Sequence, residues 1–272
     1  MPLFTIDPAK CRRDYACVAE CPRLLLEIPP DSGVPTAVPD ADALCIDCGH
    51  CVAVCPHSAL TLRSMAPGDL PSIQASSWLP PTDMITHLKA RRSIRAFAKR
   101  QVPPAVLEQL LDVAHYAPTA SNRQRVHWIV AQDPADVHKL AGMVIDWFRI
   151  RLEAREPAVV AQRAERMVTA WAQGHDYICR GAPHLVFAHG PRDFAQTDSV
   201  IALTYLEVLA PAFGVGTCWG GFITGAANNC EPLRRELAIP DDHAVSGALM
   251  LGYPVHRFHR IPNRQPLKVQ WR

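Results

Sequence analysis

The cysteines of this 272-residue chain are unevenly distributed, since seven of the ten lie within the first 55 residues. Four of them form a run with gaps of two, two and three residues that a proline closes: Cys45, Cys48, Cys51, Cys55 and Pro56. Thiolates two residues apart can ligate one iron–sulfur cluster, while the fourth cysteine, next to its proline, ligates a neighbouring cluster. The run therefore predicts a chain that carries single electrons.

A second, imperfect copy of the same spacing lies upstream and consists of Cys11, Asp14, Cys17, Cys21 and Pro22. Two such runs resemble the two-cluster ferredoxins of bacteria. With the exchange of fourth ligands that this pattern implies, one 4Fe-4S cluster is bound by Cys21, Cys45, Cys48 and Cys51. The other is bound by Cys11, Cys17 and Cys55, with Asp14 as the candidate fourth ligand.

Asp14 leaves two alternatives open, because a carboxylate is a harder ligand than a thiolate and holds iron less firmly. In the first, the cluster carries a labile iron or settles as a 3Fe-4S form. In the second, Asp14 ligates an ordinary 4Fe-4S cluster. We expect a four-iron cluster that loses an iron in air.

Two other uses of clustered cysteines fit the spacing less well. Structural zinc sites usually combine two separate C-x2-C pairs, whereas here three cysteines follow one another and a Cys-Pro step closes the run. A disulfide framework belongs to secreted chains, and the N-terminus shows neither a basic region nor an apolar signal core. We therefore expect an iron–sulfur protein in the cytoplasm.

Charge and hydropathy exclude further classes. The formal net charge is +2 and no block of lysine and arginine occurs, which disfavours a nucleic-acid partner. No apolar run reaches the length of a membrane span. Apolar residues make up 49% of the chain, which is enough for a substantial core.

The chain divides into three parts by composition. Residues 1–65 form the predicted ferredoxin unit, residues 66–82 are rich in proline, glycine and serine and read as a linker, and residues 83–272 form a second domain. The linker is expected to be packed, because Ile73, Trp78 and Leu79 are costly to expose.

The second domain alternates helical and strand patterns. Helices are predicted from Thr82 or Asp83, from Pro103–Pro104, from Asp133–Pro134, across 150–178 with a break at Pro157, and from Ser199 to Phe213. Short apolar strands are predicted at 128–131, 185–188 and 244–251. The mixture predicts an α/β or α+β class.

Four stretches of this domain carry candidate binding groups. They are the basic cluster Arg91, Arg92, Ser93 and Arg95, the polar loop with Thr119, Asn122 and Gln124, the segment Gly216–Phe222, and the C-terminal run with Arg260 and Arg264. Guanidinium groups beside a hydroxyl suit a phosphate monoester, and glycines let the backbone approach a flat ligand. Taken singly, the first stretch could be a solvated basic helix end, and the second could be a loop that caps its own backbone. The sequence Gly214–Trp219 is not a dinucleotide fingerprint, because it follows a helix and ends in tryptophan.

In this order, and beside a ferredoxin unit, the four stretches resemble the nitroreductase family of FMN-dependent oxidoreductases over about residues 83–272. The resemblance implies an α+β sandwich and a homodimer with FMN at the subunit interface. It also implies phosphate contacts from Arg91, Arg92, Ser93, Arg260 and Arg264, a basic residue near the flavin pyrimidine at Arg95, and ring-edge contacts from Thr119, Asn122 and Gln124. Cys218, Trp219, Gly220 and Gly221 match the segment against the ring. Many relatives have Gln-Pro-Trp where this chain has Gln124 to Trp128, and the loop shape is expected to differ accordingly.

The resulting interpretation is an iron–sulfur flavoprotein that passes electrons from 4Fe-4S clusters through FMN to a small organic acceptor: a nitroaromatic, a quinone or an activated alkene. Cys218 is expected to line the pocket and not to act as a nucleophile. Two alternatives remain open, namely an NAD(P)H-dependent nitroreductase with peripheral clusters and a non-catalytic electron-transfer module. The electron donor is either another protein or NAD(P)H, and residues 143–178 are where a specificity lid is expected.

Overall fold

The computed structural model describes residues 2–155, 164–193 and 195–272. These residues form two compact units. The first unit runs to Leu79 and also includes Ser121–Arg123, and the second comprises Pro80–Ala120 and Gln124–Arg272. No helix in the described part of the chain is both long and apolar enough to cross a membrane.

The first unit is built from short elements. Its strands are β1 (Phe4–Ile6), β2 (Leu26–Glu27), β3 (Thr36–Ala37) and β4 (Leu60–Leu62), and its helices are α1 (Ala16–Ala19), α2 (Ala41–Leu44) and α3 (His50–Ala53). The strands pair as two antiparallel ribbons, β1 with β4 and β2 with β3. The 3-10 turns Pro67–Asp69 and Ala75–Ser77 follow.

The two cysteine runs fold as two copies of one backbone. Helix α1 begins after Tyr15 and helix α3 after Gly49, and both preceding residues have a left-handed backbone with φ of 59° and 70°. Left-handed residues at positions 13 and 24 likewise recur at 47 and 58, with the spacing that separates Cys11 from Cys45. Residues other than glycine rarely adopt a left-handed backbone, so its recurrence at equivalent positions indicates that the two cysteine runs share one backbone conformation. The internal repeat predicted from the cysteines is therefore present in the backbone.

The second unit contains one four-stranded antiparallel sheet with the order β5-β6-β8-β7. Its strands are β5 (His127–Ala131), β6 (His184–Pro191), β7 (Gly216–Trp219) and β8 (His243–Gly252). Its helices are α4 (Pro81–Ala90), α5 (Pro104–His115), α6 (Pro134–Glu153), α7 (Ala164–Ala172), α8 (Ala195–Leu209), α9 (Gly221–Asn229) and α10 (Glu231–Glu236), with 3-10 turns at Ala120–Asn122 and Ala210–Phe213. Mixed helices and antiparallel strands confirm the α+β class.

Helices cover both faces of this sheet. On β6, Leu185 and Phe187 join the core formed with α6, α9 and α10, while Val186 and Ala188 join the core formed with α5 and α8. Successive side chains of a strand point to opposite faces, so each strand must be apolar throughout to fill both cores. This explains why β6 and β8 read in the sequence as uninterrupted apolar runs.

The structure agrees with several local predictions. Helix α5 begins at Pro104, and helix α6 begins after Asp133, whose carboxylate accepts a hydrogen bond of 2.8 Å from the N–H of Ala135. Helix α4 begins at Pro81, one residue before the predicted cap, and no side chain caps it. Proline is favourable in the first turn, where its missing N–H would have had no partner.

One strand was not predicted from the sequence, and two predictions need correction. Gly216–Trp219, for which no secondary structure was predicted, is strand β7. The helix expected from Ser199 is longer at its start and ends at Leu209, where Pro211 falls in a 3-10 turn. The linker is not packed: Ile73, Trp78 and Leu79 are 76%, 75% and 63% exposed, because the short 3-10 turns around them offer no apolar face. The break at Pro157 and part of the 143–178 region lie outside the described residues.

A cluster of three histidines lies at one end of the sheet, where β5, β6 and β8 place His127, His189 and His243 next to each other. Their ring centroids are 5.0 to 5.4 Å apart, and Nδ1 of His189 lies 2.9 Å from Nδ1 of His243. Buried Arg234 donates to the carbonyl oxygens of Pro240 and His243. Burial, and then the positive charges of His243, His127 and Arg234, lower the pKa of His189 to about 4.

This cluster predicts acid-sensitive stability. In the unfolded chain His189 has an ordinary pKa near 6.5, so between about pH 6.5 and 4 the unfolded state binds more protons than the native state. The free energy of unfolding is therefore expected to fall as the pH falls through this window, by up to about 3 kcal/mol. Urea unfolding of His189→Asn at a series of pH values should show a smaller decrease of the free energy of unfolding between about pH 6.5 and 4. Part of the decrease should remain, because burial also lowers the pKa of His184.

Exposed His259 provides the control. His259→Asn should keep the pH dependence of the native protein, because its imidazole is solvated in both states. A slope in His189→Asn equal to that of the unchanged protein would contradict the assignment.

Candidate cofactor sites

Four cysteines of the first unit line one small apolar cavity of about 30 Å³. They are Cys21 of the upstream run and Cys45, Cys48 and Cys51 of the downstream run. The remaining wall is mainly aliphatic and is formed by Leu3, Leu25, Leu26 and Leu62. The chain thus brings together the four thiols that the ligand exchange predicts for one cluster.

Backbone N–H groups point at several of these sulfurs. The N–H of Leu25 donates to Sγ of Cys21 at 3.3 Å, and the equivalent N–H in the second copy, that of Ala59, donates to Sγ of Cys55 at 3.4 Å. The N–H of Asp47 donates to Sγ of Cys45 at 3.4 Å. Hydrogen bonds of this kind stabilise thiolates and are one of the means by which proteins set cluster potentials. These residues therefore fit a cluster-binding role.

The protonation of these thiols depends on what they bind. Burial, followed by the charges of Cys48 and Cys21, raises the pKa of Cys51 to about 11. A free thiol with such a pKa remains protonated at neutral pH. A metal cation reverses the balance, because it binds the thiolate and displaces the proton. The raised pKa of Cys51 therefore disfavours the free thiolate, which a bound metal cation would stabilise.

The groups of the other predicted ligand set influence one another electrostatically, although no group of three or more Cys, His, Asp or Glu side chains in the described residues is arranged to hold a metal ion. The pKa of Cys17 is raised by burial first, and then by the negative charges of Cys55, Asp14 and Cys11. Asp14 is exposed, and its Oδ1 accepts a hydrogen bond of 3.2 Å from the N–H of Ala16 at the start of helix α1. Its Oδ2 lies 3.7 Å from Nε2 of His57. The carboxylate therefore occupies the place of the missing cysteine with one oxygen already engaged by the backbone.

The second unit contains a much larger cavity, of about 390 Å³. Its walls come from the end of α4, the start of β7 with the turn before it, and the segment after β8. The lining residues are His87, Ala90, Arg91, Arg92, Ile94, Pro211, Gly214, Val215, Gly216, Thr217, Pro254, Val255, His256, Arg257 and Phe258. This volume and the basic lining fit an anionic small molecule.

The two arginines of the predicted basic cluster are held differently. Arg91 donates from Nη1 to Oε1 of Glu207 at 2.9 Å, and the other oxygen of Glu207 accepts from the indole N–H of Trp219 at 3.0 Å. Arg92 donates to the carbonyl of Lys89, and its buried Nε has no hydrogen-bond partner in the described part of the chain. A buried donor without an acceptor is costly, and a phosphate oxygen in the cavity is an acceptor that suits it.

The basic segment is fastened to strand β7. The N–H of Ile94 donates to the carbonyl of Thr217 at 2.8 Å, and Ser93 forms a parallel bridge with Thr217. Gly216 makes this approach possible, because a Cβ there would lie 2.3 Å from Cγ1 of Ile94. Arg95 is exposed, and its Nη1 lies 3.5 Å from the carbonyl of Ser93. Ser93 and Arg95 thus adjoin the cavity without lining it.

The predicted polar loop with Thr119, Asn122 and Gln124 does not line the cavity of the second unit. Thr119 accepts the N–H of Gln124 at 3.1 Å, and both border a separate cavity of about 10 Å³. Asn122 falls in the first unit, where its amide donates to the carbonyls of Ile46 and Asp47 at 3.1 and 3.0 Å. Thr119 therefore caps its own loop, which was one of the readings open from the sequence.

The glycine-rich segment after β7 contributes mainly to packing. Cys218 is buried in the core, and Trp219 lies against Gly247, where a Cβ would be 2.5 Å from the indole. Gly220 is confined by Ile223, whereas Gly221 faces open space. Their predicted contacts with a ring system remain predictions.

The predicted contacts of the C-terminal arginines with the flavin remain predictions. Arg260 and Arg264 are exposed in a segment without helix or strand and do not line the cavity, whereas His256 and Arg257 do. Sequence reasoning also missed Glu207, although it is the one acid between Ser199 and Phe213 in an apolar helix, which was a usable signal.

Comparison with known proteins gives two family matches. Residues 88–253, more than half of the chain, match the nitroreductase family, and residues 9–60 match the 4Fe-4S dicluster domain. The chain is 28% identical over 212 residues to a protein of Thermus thermophilus named NADH dehydrogenase, covering 71% of this chain and 98% of that relative.

Solved structures show the same fold for the second unit. A nitroreductase with bound FMN from Bacteroides fragilis has a TM-score of 0.54 and 21% identity, covering 68% of this chain and 95% of that one. A nitroreductase with bound FMN from Desulfitobacterium hafniense has a TM-score of 0.55 and 16% identity, covering 70% and 97%. The predicted fold is thereby confirmed.

The contact between Gly216 and Ile94 predicts a sensitive position. Gly216→Ala should lower the free energy of unfolding by about 1–3 kcal/mol, because the new methyl group must displace Ile94 from the wall of the cavity. Urea unfolding of the full chain measures this loss. Gly225→Ala is the control, since nothing lies within 4 Å of a Cβ there, and alanine favours its helix. Equal stabilities for the two variants would contradict the packing argument.

Proposed function

The chain belongs to the nitroreductase family and carries an N-terminal 4Fe-4S dicluster domain, so it is an oxidoreductase; from this premise we propose an electron path. Electrons enter at 4Fe-4S clusters, pass to FMN and leave to a small organic acceptor, which is a nitroaromatic, a quinone or an activated alkene. One observation supports this most strongly: the same chain has a cavity lined by four thiols and, in its other unit, a large cavity lined by arginines.

The FMN assignment is supported by the charge and shape of the larger cavity. Arg92 offers a buried Nε that lacks an acceptor, and Arg257 adds a second guanidinium group. Phosphate monoesters are bound well by guanidinium groups because charge and hydrogen-bond geometry match together. Gly214 leaves backbone accessible to a ligand, because nothing lies within 4 Å of a Cβ there. Arg91, Arg92 and Arg257 are therefore the residues that we expect to hold the phosphate.

The cluster assignment is supported by the two groups of ligands. Cys21, Cys45, Cys48 and Cys51, which are half-buried, would hold one 4Fe-4S cluster in a cavity with mainly aliphatic walls. The second set would comprise Cys11, Cys17, Cys55 and Asp14. When bound, the clusters exchange single electrons and FMN exchanges one or two, which lets single-electron donors serve a two-electron acceptor.

The chain's own contribution to the reaction is positioning and charge. The N–H groups of Leu25 and Ala59 would orient the sulfurs of Cys21 and Cys55, and the arginines would hold the phosphate. Arg95 is proposed to lie near the flavin pyrimidine, where a cation favours the anionic reduced ring. No acid or base of the chain is assigned to proton transfer, because substrate orientation over the ring is the main requirement.

A homodimer is part of this proposal. The segment after β8 has no helix or strand and exposes large apolar groups, with Leu267 and Trp271 about 90% exposed. Helix α4 also exposes Met84, Ile85 and Leu88, which have helical spacing. Apolar surface of this extent is characteristic of an interface. Contacts of Arg260, Arg264 and the ring-edge residues with FMN are expected in the dimer.

A second candidate function is favoured by the name of one relative. The protein of Thermus thermophilus is named NADH dehydrogenase, and it covers most of this chain. In that case a reduced nicotinamide would deliver electrons directly to FMN, and the clusters would be peripheral. The two functions differ in the route by which the flavin is reduced.

The first test is spectroscopic and kinetic. Protein purified without oxygen should show flavin bands on broad iron–sulfur absorption. In stopped flow, a reduced ferredoxin should bleach the flavin of the unchanged protein, and Cys48→Ser should slow this at least about tenfold, because it removes a ligand of the proposed entry cluster. NADH should reduce the flavin slowly in both.

Cys230→Ala is the matched control, since Cys230 is buried in the second unit and belongs to neither ligand set. It should behave like the unchanged protein. Fast bleaching by NADH that Cys48→Ser leaves intact would favour the second candidate. Protein without iron and without a yellow chromophore would refute both.

The second test addresses Asp14. In air, the unchanged protein is expected to lose about one iron per chain and to develop the EPR signal of a 3Fe-4S cluster, because a carboxylate holds iron less firmly than a thiolate. Asp14→Cys should retain all its iron under the same exposure. Two four-iron spectra that survive air in the unchanged protein would show that Asp14 does not create a labile site.

A further inference from the structure

We propose that Glu207 is a positioning residue for the phosphate end of the flavin. It acts through Arg91, whose guanidinium group it aims into the cavity. The inference rests on the proposed FMN site and identifies a residue in it that neither the sequence motifs nor the cavity lining includes. The observation that supports it is a buried carboxylate whose two oxygens hold two different walls of the cavity.

The first wall is the end of helix α4. Oε1 of Glu207 accepts a hydrogen bond of 2.9 Å from Nη1 of Arg91, and the carbonyl of Val208, the next residue, accepts one of 2.6 Å from Nε2 of His87. Arg91 and His87 both line the cavity. The end of helix α8 thus anchors the last turn of α4 at two points. One of Arg91's nitrogen atoms is fixed by this contact, which orients the remaining N–H donors of the planar group.

The second wall is strand β7. Oε2 of Glu207 accepts a hydrogen bond of 3.0 Å from the indole N–H of Trp219, the last residue of β7. Trp219 in turn lies against Gly247 of β8, where no side chain would fit. Gly216 and Thr217 of the same strand line the cavity. The carboxylate of Glu207 therefore fixes strand β7 and the end of helix α4 relative to each other.

The burial of this group makes the arrangement specific. Glu207 is only 6% exposed, and a carboxylate removed from water must be paired and hydrogen-bonded to be tolerated. Both oxygens are satisfied here by donors of fixed direction. An arginine at a solvated helix end would not need a buried carboxylate as its partner. The position of the Arg91 guanidinium group is therefore set by its hydrogen bond to Glu207 and not only by the charge at the end of helix α4.

The test compares FMN with riboflavin, which differs only by the phosphate. Binding to the full chain, freed of flavin, is measured by quenching of flavin fluorescence. Glu207→Gln keeps the size of the side chain but replaces one acceptor with a donor, so one of the two hydrogen bonds is lost. We expect FMN to bind at least about tenfold more weakly and riboflavin to change less than about twofold, because the affected group faces the phosphate.

Glu231→Gln is the matched control. Glu231 also accepts from an arginine, Arg235, at 2.9 Å, but both are exposed on helix α10. It should leave both affinities unchanged. Arg91→Ala combined with Glu207→Gln should lose no more FMN affinity than Arg91→Ala alone, since the glutamate acts through the arginine.

Three outcomes would overturn the inference: unchanged FMN affinity in Glu207→Gln, equal losses for FMN and riboflavin, or additive losses in the double variant. If Glu207→Gln does not fold, Trp219→Phe removes one donor to the same carboxylate and keeps an aromatic ring. It should show the same selective loss at smaller size, and a loss equal for both flavins would again contradict the inference. A failure of the proposed function itself is distinguishable, because the unchanged protein would then bind FMN no better than riboflavin.

Discussion

The burial of both faces of one four-stranded sheet determines most of the second unit. Because Leu185 and Phe187 face one helical layer and Val186 and Ala188 the other, no polar side chain can lie in the middle of β6. The polar side chains of β6 are therefore confined to its ends. One end of the sheet holds the histidine cluster around His189. The other, where Gly216 of β7 is opposite Gly252 of β8, borders the cavity with the arginines.

The first unit has only a small apolar core, so apolar burial contributes less to its stability than in the second unit. Its buried cluster contains eight residues, and its helices are single turns, of which α1 and α3 begin after the left-handed residues Tyr15 and Gly49. Units of this size rarely obtain enough stability from apolar burial alone and often depend on metal. We therefore expect this unit to gain stability when its thiols bind a cluster.

The sequence predicted those features that depend on local spacing. The cysteine runs implied the internal repeat, and apolar runs located β5, β6 and β8 within a few residues. Strand β7 was missed because the sequence Gly216–Trp219 has no strand pattern of its own. Glycine is required at position 216 because Ile94 packs against it, and this tertiary contact cannot be read from the sequence. The same reason explains why Arg257, and not Arg260 or Arg264, lines the cavity. Tertiary packing decides which residues of an irregular segment lie next to a distant strand, and the spacing of residues in the sequence does not reveal this packing.

The charges around the larger cavity show why a buried acid belongs there. Three arginines line it, and a site with three uncompensated guanidinium groups would be strongly self-repelling before any ligand arrived. Glu207 matches the charge of Arg91, while Arg92 and Arg257 form no ion pair within the described part of the chain. Two unmatched cations remain, which equals the charge of a phosphate monoester dianion. The buried carboxylate thus adjusts the cavity to its proposed ligand in charge as well as in geometry, and its own desolvation cost is offset by the hydrogen bonds from Arg91 and Trp219.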